Sequence, residues 1–222
     1  PDILLVGDYN SYAMEDPITT IKNAGFTNLI ESFLGPDAYS YVFDGQWGYL
    51  DHALGSASIV PQITGVGDYH INSDEPSVLD YNTDFKSAGL IASLYAPDQF
   101  RVSDHDPVLV GLCLPPSATA SVTPDVLWPP NHKYVTVTAT VDASSDTSTI
   151  TLLSVTSNEP DSGLGNGDKA NDIVIIDDFT FKLRAERSGG GDGRIYTITY
   201  QVTNVCGNST IVTTTVTVPH NQ

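Results

Sequence analysis

Basic residues are scarce in this chain. Lysine and arginine together number 9 among 222 residues, against 27 acidic residues, and the formal net charge at pH 7 is −18. A charge of this sign repels a polyanion at long range, so the composition excludes simple binding of nucleic acid through a basic groove. A nuclease is not excluded, because carboxylates that hold divalent cations reverse the local field and the metal then carries the phosphate contacts.

Long apolar runs and cysteines are few as well. The longest apolar runs, residues 3–6 and 108–114, are far shorter than a membrane span of roughly 20 residues, so no membrane span is predicted and both are interpreted as buried strands. Cys113 and Cys206 are the only cysteines, and they lack metal-site spacing. A disulfide and two buried thiols both remain open, and the other signs of export favour the disulfide. One such sign is the acidity, since many carboxylates are screened or cation-bound in salt water or calcium.

The residue pattern changes near residue 115. Mixed helix and strand signals precede this point, and alternating segments rich in threonine and valine follow it. We predict a first domain over residues 1–114, a linker over residues 115–119 that is rich in proline and small residues, and a second domain over residues 120–222.

The first domain is predicted to have a layered α/β fold. Residues 3–6 indicate a strand, and Asp16 is predicted as the N-cap of a helix that has Pro17 as its first residue and runs through Ala24, with Gly25 as its stop. The further predicted elements are a helical turn at 28–33, strands at 39–43 and 48–54 joined by a turn at 44–47, a strand at 59–66, an irregular stretch through residue 82 and a last strand at 108–114.

The second domain is predicted to be an all-β sandwich. Residues 135–141, 196–202 and 212–218 alternate between apolar and polar side chains, which is typical of half-buried antiparallel strands. No helix of useful length is indicated there. Several such strands with loops between them favour two packed sheets.

Three short segments of the first domain place an acid or an amide at the end of an apolar strand. They are GDYN at residues 7–10, GYLDHAL at 48–54 and SDHDPV at 103–108. Each segment alone is explained by a turn or a local cap. Their order and spacing together resemble the second half of the endonuclease/exonuclease/phosphatase superfamily. Within that superfamily, YSYVFDGQWGYLDHAL and SDHDPVLVGL look most like bacterial secreted nucleases.

The resemblance implies half of a four-layer α/β/β/α sandwich, with the active site at the rim where its two sheets meet. It also implies a secreted, metal-dependent phosphodiester hydrolase that uses Mg²⁺ or Mn²⁺ and takes nucleic acid as its substrate. The runner-up activities are those of a phosphomonoesterase or a phospholipid phosphodiesterase. A different class stays open too, a non-catalytic binding or structural fragment that is stabilised by calcium.

The resemblance gives five residues a role. Asp8 would orient or deprotonate the attacking water or hold a metal, and Asn10 would donate to a phosphate oxygen. Asp104 would ligate Mg²⁺ or Mn²⁺ or orient the neighbouring imidazole. His105 would contact the scissile phosphate and stabilise its developing charge. Asp51 matches the buried acid that orients a second histidine or the catalytic asparagine.

The other half of this active site comes from the N-terminal half of the family's domain. That half supplies the main metal-binding glutamate, an asparagine on the first strand and usually another catalytic histidine. The first ten residues show neither a basic region nor a small-residue cleavage site, and they begin within a predicted strand. We therefore expect the missing N-terminal half of the same protein to be the partner of this chain, which would be inactive without it.

Two histidines and one acidic loop are candidates outside these motifs. His52 and His70 are interpreted as hydrogen-bonded structural groups, rather than as metal ligands. The acidic loop of the second domain has many oxygen ligands separated by glycines, and binding of Ca²⁺ and a solvated loop are equally open. Its members are Glu159, Asp161, Asp168 and Asp172, with Asn158, Asn166 and Asn171 beside them.

The second domain carries a resemblance of its own. The segments LWPPNHK, SNEPDSGLGNGD and LRAERSGGGDGRIYTIT resemble an immunoglobulin-like module that is appended to bacterial secreted proteins. This resemblance implies an extracellular or cell-surface location and an accessory role, without a catalytic motif.

Overall fold

The computed structural model describes residues 1–79, 82–163 and 167–221. Asn166 of the acidic loop and residues 80 and 81 of the predicted irregular stretch lie outside this description. The protein is mostly β, and its sheets are antiparallel. It divides into two compact units, Pro1–Cys113 and Leu114–Gln222.

The first unit combines short helices with small sheets. Its helices are α1 (Asp16–Asn23), α2 (Leu29–Leu34) and α3 (Ala88–Leu94), with 3₁₀ turns at Gly35–Asp37, Val60–Gln62 and Ser77–Leu79. Its strands are β1 (Leu4–Asp8), β2 (Phe26–Asn28), β3 (Tyr41–Phe43), β4 (Gln46–Gly48), β5 (Asp51–Ser56), β6 (Ile63–Asp68) and β7 (Val108–Leu112). They form a sheet in the order β1-β5-β2 and two antiparallel pairs, β3-β4 and β6-β7.

Side-chain caps and a small apolar core fix these elements. The Asn28 side chain accepts a hydrogen bond from the backbone N–H of Glu31 at 3.2 Å and so caps α2. Leu29 and Ile30, which follow the cap, are fully buried and pack with Tyr49 and neighbouring residues of β5. This core places the first residue of β5 at the edge where the candidate site lies.

Several predicted elements have different limits in the structure. The turn between β3 and β4 contains only Asp44 and Gly45, both with positive φ (49° and 74°), so it is tighter than the predicted turn at 44–47. Helix α1 begins at Asp16, whereas Glu15 is its N-cap residue. Helix α3, capped by Ser87, was not predicted, because its short apolar run has no strong periodic signal.

The second unit is all β in its described part. Its strands are β8 (Ala118–Thr123), β9 (Tyr134–Ala143), β10 (Thr147–Ser157), β11 (Ile173–Asp177), β12 (Thr180–Arg184), β13 (Gly193–Asn204) and β14 (Ser209–Pro219). They form two sheets, in the orders β10-β13-β14 and β11-β12-β9-β8. Side chains from both sheets share one buried core, including Val137, Phe181, Ile198 and Val216. Strand β8 begins inside the range that the sequence predicts as a linker.

Neither cysteine is free, and both Cys113 and Cys206 are disulfide-bonded. A disulfide is a feature of oxidising compartments, so it agrees with an extracellular protein. None of the helices in the described ranges is long and apolar enough to cross a membrane.

The core of the second unit contains a charged residue. Arg194 of β13 is fully buried, and its guanidinium group bonds to the carboxylate of Asp172, to Pro160 O at 3.1 Å and to Glu159 Oε2 at 3.3 Å. Asp172 is also buried, and Arg184 Nε lies 3.2 Å from its second oxygen. A buried charge is tolerated only when it is paired in this way.

We expect Arg194→Met to lower the free energy of unfolding of the second unit by about 3–5 kcal/mol, because it leaves the buried Asp172 with Arg184 alone and removes the cation of the partly buried Glu159. The exposed Lys182 of β12 offers a control with the same change of charge, and Lys182→Met should cost less than about 0.5 kcal/mol. Urea denaturation monitored by circular dichroism measures both. Equal effects of the two substitutions would contradict the importance of the buried pair.

Candidate functional site

Two strand ends and one loop bring the predicted motifs together. Asp8 is the last residue of β1, and it stands opposite Asp51, the first residue of β5, in the antiparallel register. His105 forms a bridge with Tyr41 of β3. Ligand atoms of Asp8, Asp51 and His105 consequently all lie within 4.8 Å of one another.

The centre of this group is a hydrogen-bonded pair. His105 Nδ1 lies 2.7 Å from Asp51 Oδ2, and the Ser40 hydroxyl donates to the same oxygen, also at 2.7 Å. The Tyr41 ring flanks the imidazole at 4.6 Å between centroids. The two side chains are 20% and 15% exposed, so the pair is partly open to solvent. The carboxylate fixes the orientation of the ring and leaves Nε2 for a ligand.

Asp8 and Asn10 form an exposed turn beside the pair. Asp8 Oδ1 accepts the backbone N–H of Asn10 at 2.7 Å, and Asp8 Oδ2 accepts its side-chain amide at 3.4 Å. Asn10 has a positive φ of 49°, a conformation that asparagine tolerates better than most residues. Two carboxylates and an imidazole in reach of one point form a donor set that fits Mg²⁺ or Mn²⁺.

Asp51 and Asp104, the two acids expected to orient another side chain, differ from the sequence prediction in their contacts. Asp51, which was expected to orient a second histidine or the catalytic asparagine, contacts His105 instead. Asp104 is exposed and lies outside the three-residue group, so it does not orient the neighbouring imidazole.

His52 is a core residue, as the sequence suggested. It is fully buried, its Nε2 lies 2.8 Å from Ser11 O, and the rings of Tyr9 and Tyr49 pack against it. Burial lowers the pKa of the His52 imidazole, against the opposing effect of its bond to Ser11. A neutral imidazole that is enclosed in this way supports packing, and it does not reach a ligand.

His70, in contrast, belongs to a second imidazole–carboxylate pair that sequence reasoning missed. His70 Nδ1 lies 2.8 Å from Asp106 Oδ2, and the Tyr39 ring stacks on the imidazole at 4.1 Å with an interplanar angle of 11°. The His70 side chain is 37% exposed and Asp106 is fully buried. The signal in the sequence was the run Asp-His-Asp at residues 104–106, where the third residue also carries a carboxylate.

A loop of backbone N–H groups surrounds the Asp106 carboxylate. Its Oδ1 accepts from Ile71, Asn72 and Ser73 at 2.9–3.1 Å, and its Oδ2 accepts from the Ser73 hydroxyl. Burial alone raises the pKa of this carboxyl, but the hydrogen bonds outweigh it and hold the pKa below its usual range. Asp106 therefore remains a buried anion.

Asp68, the last residue of β6, is a buried acid without such support. Neither of its oxygens is exposed, and none of the described residues donates a hydrogen bond to them. Burial raises the pKa of Asp68 to about 6, although His70 lowers it, and the negative charges of Asp106 and Asp51 raise it further. The acid is thus within electrostatic reach of both imidazole–carboxylate pairs.

The four acids expected to bind calcium do not converge. Glu159 and Asp172 bond to Arg194, and Asp161 accepts the backbone N–H groups of Asn171 and Asp172 at 2.9 and 2.7 Å. Within residues 1–79, 82–163 and 167–221, no three of these four acids bring their carboxylate oxygens within 4.8 Å of one another. Arg194 neutralises two of the four, Glu159 and Asp172.

Comparisons with known proteins assign this chain to no group. No protein family, no curated protein and no solved structure matches it. We therefore infer its function from the motifs and from the geometry of the site.

We expect Asp68→Asn to stabilise the protein above pH 6 by about 1–2 kcal/mol, a value discounted for screening at a partly open site. The pKa of Asp68 is about 6 in the folded protein, against about 4 in the unfolded chain. The folded state binds the proton of Asp68 more tightly than the unfolded chain does. The free energy of unfolding of the wild type therefore falls as the pH rises between these two pKa values, whereas the asparagine variant has no carboxyl to titrate and does not show this fall.

Urea denaturation in chelator-treated buffer at pH 4 and at pH 7.5 measures this difference. Asp84→Asn, which changes an exposed acid of the same unit, is the control and should show no pH-dependent gain. A gain from Asp68→Asn that is the same at both pH values would show that the carboxyl does not titrate in this window.

Proposed function

We propose that this protein is a secreted, metal-dependent phosphodiester hydrolase, and specifically a nuclease. The observation that carries the proposal is the convergence of Asp8, Asp51 and His105 within 4.8 Å, with the imidazole held by Asp51 at 2.7 Å. An oriented imidazole beside carboxylates is the arrangement that water attack on a phosphodiester requires.

Each residue of the group has a step that its geometry suits. His105 presents Nε2 to a phosphate oxygen, because Nδ1 is engaged by Asp51. Asp8 is exposed and accepts or orients the proton of the attacking water. Asn10, which lies in the same turn as Asp8, offers an uncharged side-chain donor to the phosphate. A bound Mg²⁺ or Mn²⁺ would neutralise charge on the phosphate and lower the pKa of the water, and Asp8 and Asp51, the two carboxylates of the three-residue group, would hold it.

The motifs at the three strand ends support the same assignment. Together with the antiparallel pairing of β1 with β5, they favour half of a four-layer α/β/β/α domain of the endonuclease/exonuclease/phosphatase superfamily, with an immunoglobulin-like module after it. The N-terminal half of that domain is then the partner that completes the site. The disulfide-bonded cysteines favour export.

Exposed aromatic rings favour a substrate that has bases. Phe43 at the tip of the β3–β4 hairpin is 60% exposed, its ring lies 6.3 Å from that of Tyr41, and Tyr41 in turn flanks His105. Bases of a single strand stack on such rings whatever their sequence. A phosphomonoesterase, one of the alternatives within the superfamily, has no comparable use for them.

The opposite side of the hairpin repeats this feature. Trp47 is 68% exposed, and its ring lies 4.9 Å from that of Tyr39, which stacks on His70. The other alternative, a calcium-stabilised fragment without catalysis, loses support because arginine already neutralises Glu159 and Asp172, two of the four acids of its expected site.

We expect His105→Ala in the full-length protein to lower the rate of plasmid-DNA hydrolysis by about 10²-fold or more in Mg²⁺ or Mn²⁺, because one stabilising donor is lost. His132→Ala is the matched control, since His132 lies in the second unit and pairs with Glu186 at 2.8 Å in a similar way. Intact mass of the protein from its natural source tests whether a second polypeptide copurifies. A wild-type protein that is folded and inert in every metal would overturn the proposal.

The substrate class has its own test. Phe43→Ala and Trp47→Ala should each raise KM for a single-stranded oligonucleotide by about 5- to 100-fold, since one stacked base contributes about 1–3 kcal/mol. An abasic oligonucleotide of the same length should be cleaved equally by wild type and by both variants. Met14→Ala, which removes another exposed apolar side chain of the first unit, should change neither KM value. If both variants also raise KM for the abasic oligonucleotide, the rings do not act by stacking on bases.

A further inference from the structure

We infer that His70 is a second catalytic imidazole, which contacts the phosphate of the substrate through Nε2, and that Asp106 is its positioning residue. This inference rests on the proposed function and adds a residue to the same chemistry. His70 lies outside the three segments that carry the family resemblance.

The two imidazole–carboxylate pairs of the first unit have the same construction. In each pair Nδ1 faces a carboxylate oxygen, at 2.7 Å for His105 and 2.8 Å for His70. In each pair a tyrosine ring packs on the imidazole, Tyr41 on His105 and Tyr39 on His70. The construction fixes the tautomer and the direction of the ring, and directs Nε2 away from the acid.

The two pairs are also linked to each other by direct bonds. His105 and Asp106 are consecutive residues, so one dipeptide supplies the imidazole of the first pair and the carboxylate of the second. The backbone N–H of Asp106 donates to Ser40 O at 2.7 Å, and the Ser40 hydroxyl bonds to Asp51. The Asn72 side chain donates to His105 O at 2.7 Å. A shift of one pair therefore displaces the other.

A purely structural role for His70 explains less of this arrangement. The Asp106 carboxylate has partners on both oxygens without the imidazole, because three backbone N–H groups donate to Oδ1 and the Ser73 hydroxyl donates to Oδ2. The imidazole is thus not required to satisfy the acid. The reverse dependence holds, because the only hydrogen bond of His70 to a described residue is the one from Nδ1.

Asp68 gives a second reason to place a ligand near His70. Both of its oxygens are buried and receive no hydrogen bond from the part of the chain that the structure describes. Buried polar groups almost always have a partner, and a hydroxyl group or a water molecule brought by a substrate would supply one here. Asp68 ends β6 two residues before His70, so this donor would arrive beside the imidazole.

The test compares two substitutions that separate the ring nitrogens. His70→Asn keeps an amide donor in the position of Nδ1 and removes Nε2, whereas His70→Gln places its amide nearer the position of Nε2. For a catalytic His70, His70→Asn lowers kcat for plasmid DNA by about 10²-fold or more with little change in KM, and His70→Gln recovers part of the loss. His132→Asn, in a pair with similar exposure (41% and 2%), should keep wild-type kcat.

A measurement without catalysis accompanies the kinetics. Inorganic phosphate is titrated into metal-free wild-type protein, and the imidazole C–H signals of His70, His105 and His132 are followed by NMR. We expect the signals of His70 and His105 to move together and those of His132 to stay fixed. A response of His105 alone would overturn the inference, even if a substitution at His70 prevents folding.

The kinetic outcomes separate this inference from the proposed function. If His105→Ala is inactive and His70→Asn is as active as wild type, the hydrolase stands and His70 is a structural residue. If wild-type protein cleaves no phosphodiester, the proposed function fails, and the phosphate titration then decides whether His70 binds phosphate at all.

Discussion

The buried carboxylate of Asp106 is the interaction on which the first unit's site depends. It collects the backbone N–H groups of residues 71–73 and the Ser73 hydroxyl, and its own backbone N–H binds Ser40. An ionised carboxylate without partners would be very costly in this position, so the loop must close around it. That closure sets the direction of the chain as it enters β7, and with it the position of His105.

The sequence predicted the site wherever local pattern determines position. Asp8 and Asp51 each adjoin an apolar strand, and the antiparallel register then places them opposite each other. The pair of His70 with Asp106 escaped prediction for a physical reason. The two residues are 36 positions apart, an irregular stretch separates them, and most donors to the acid are backbone N–H groups, which every residue except proline has.

The second unit illustrates the same limit with charges. Strands β9, β13 and β14 were predicted from their alternation, because each buries one face. For the acidic loop, calcium binding and a solvated loop stayed equally open, since a list of carboxylates does not identify the cation that neutralises them. In the fold, Arg194 on the buried face of β13 bonds to Asp172, which lies 22 residues away along the chain.

The two units differ in whether arginine or lysine neutralises their clustered acids. The buried acids Asp172 and Glu186 of the second unit have arginine within ion-pair distance. In the first unit no described lysine or arginine pairs with Asp8, Asp51 or Asp104, although the chain's net charge is −18. Carboxylates that converge without an internal cation repel one another, and a divalent ion relieves that repulsion while it attracts phosphate. The acidity that excludes a basic groove thus favours a metal at this one position.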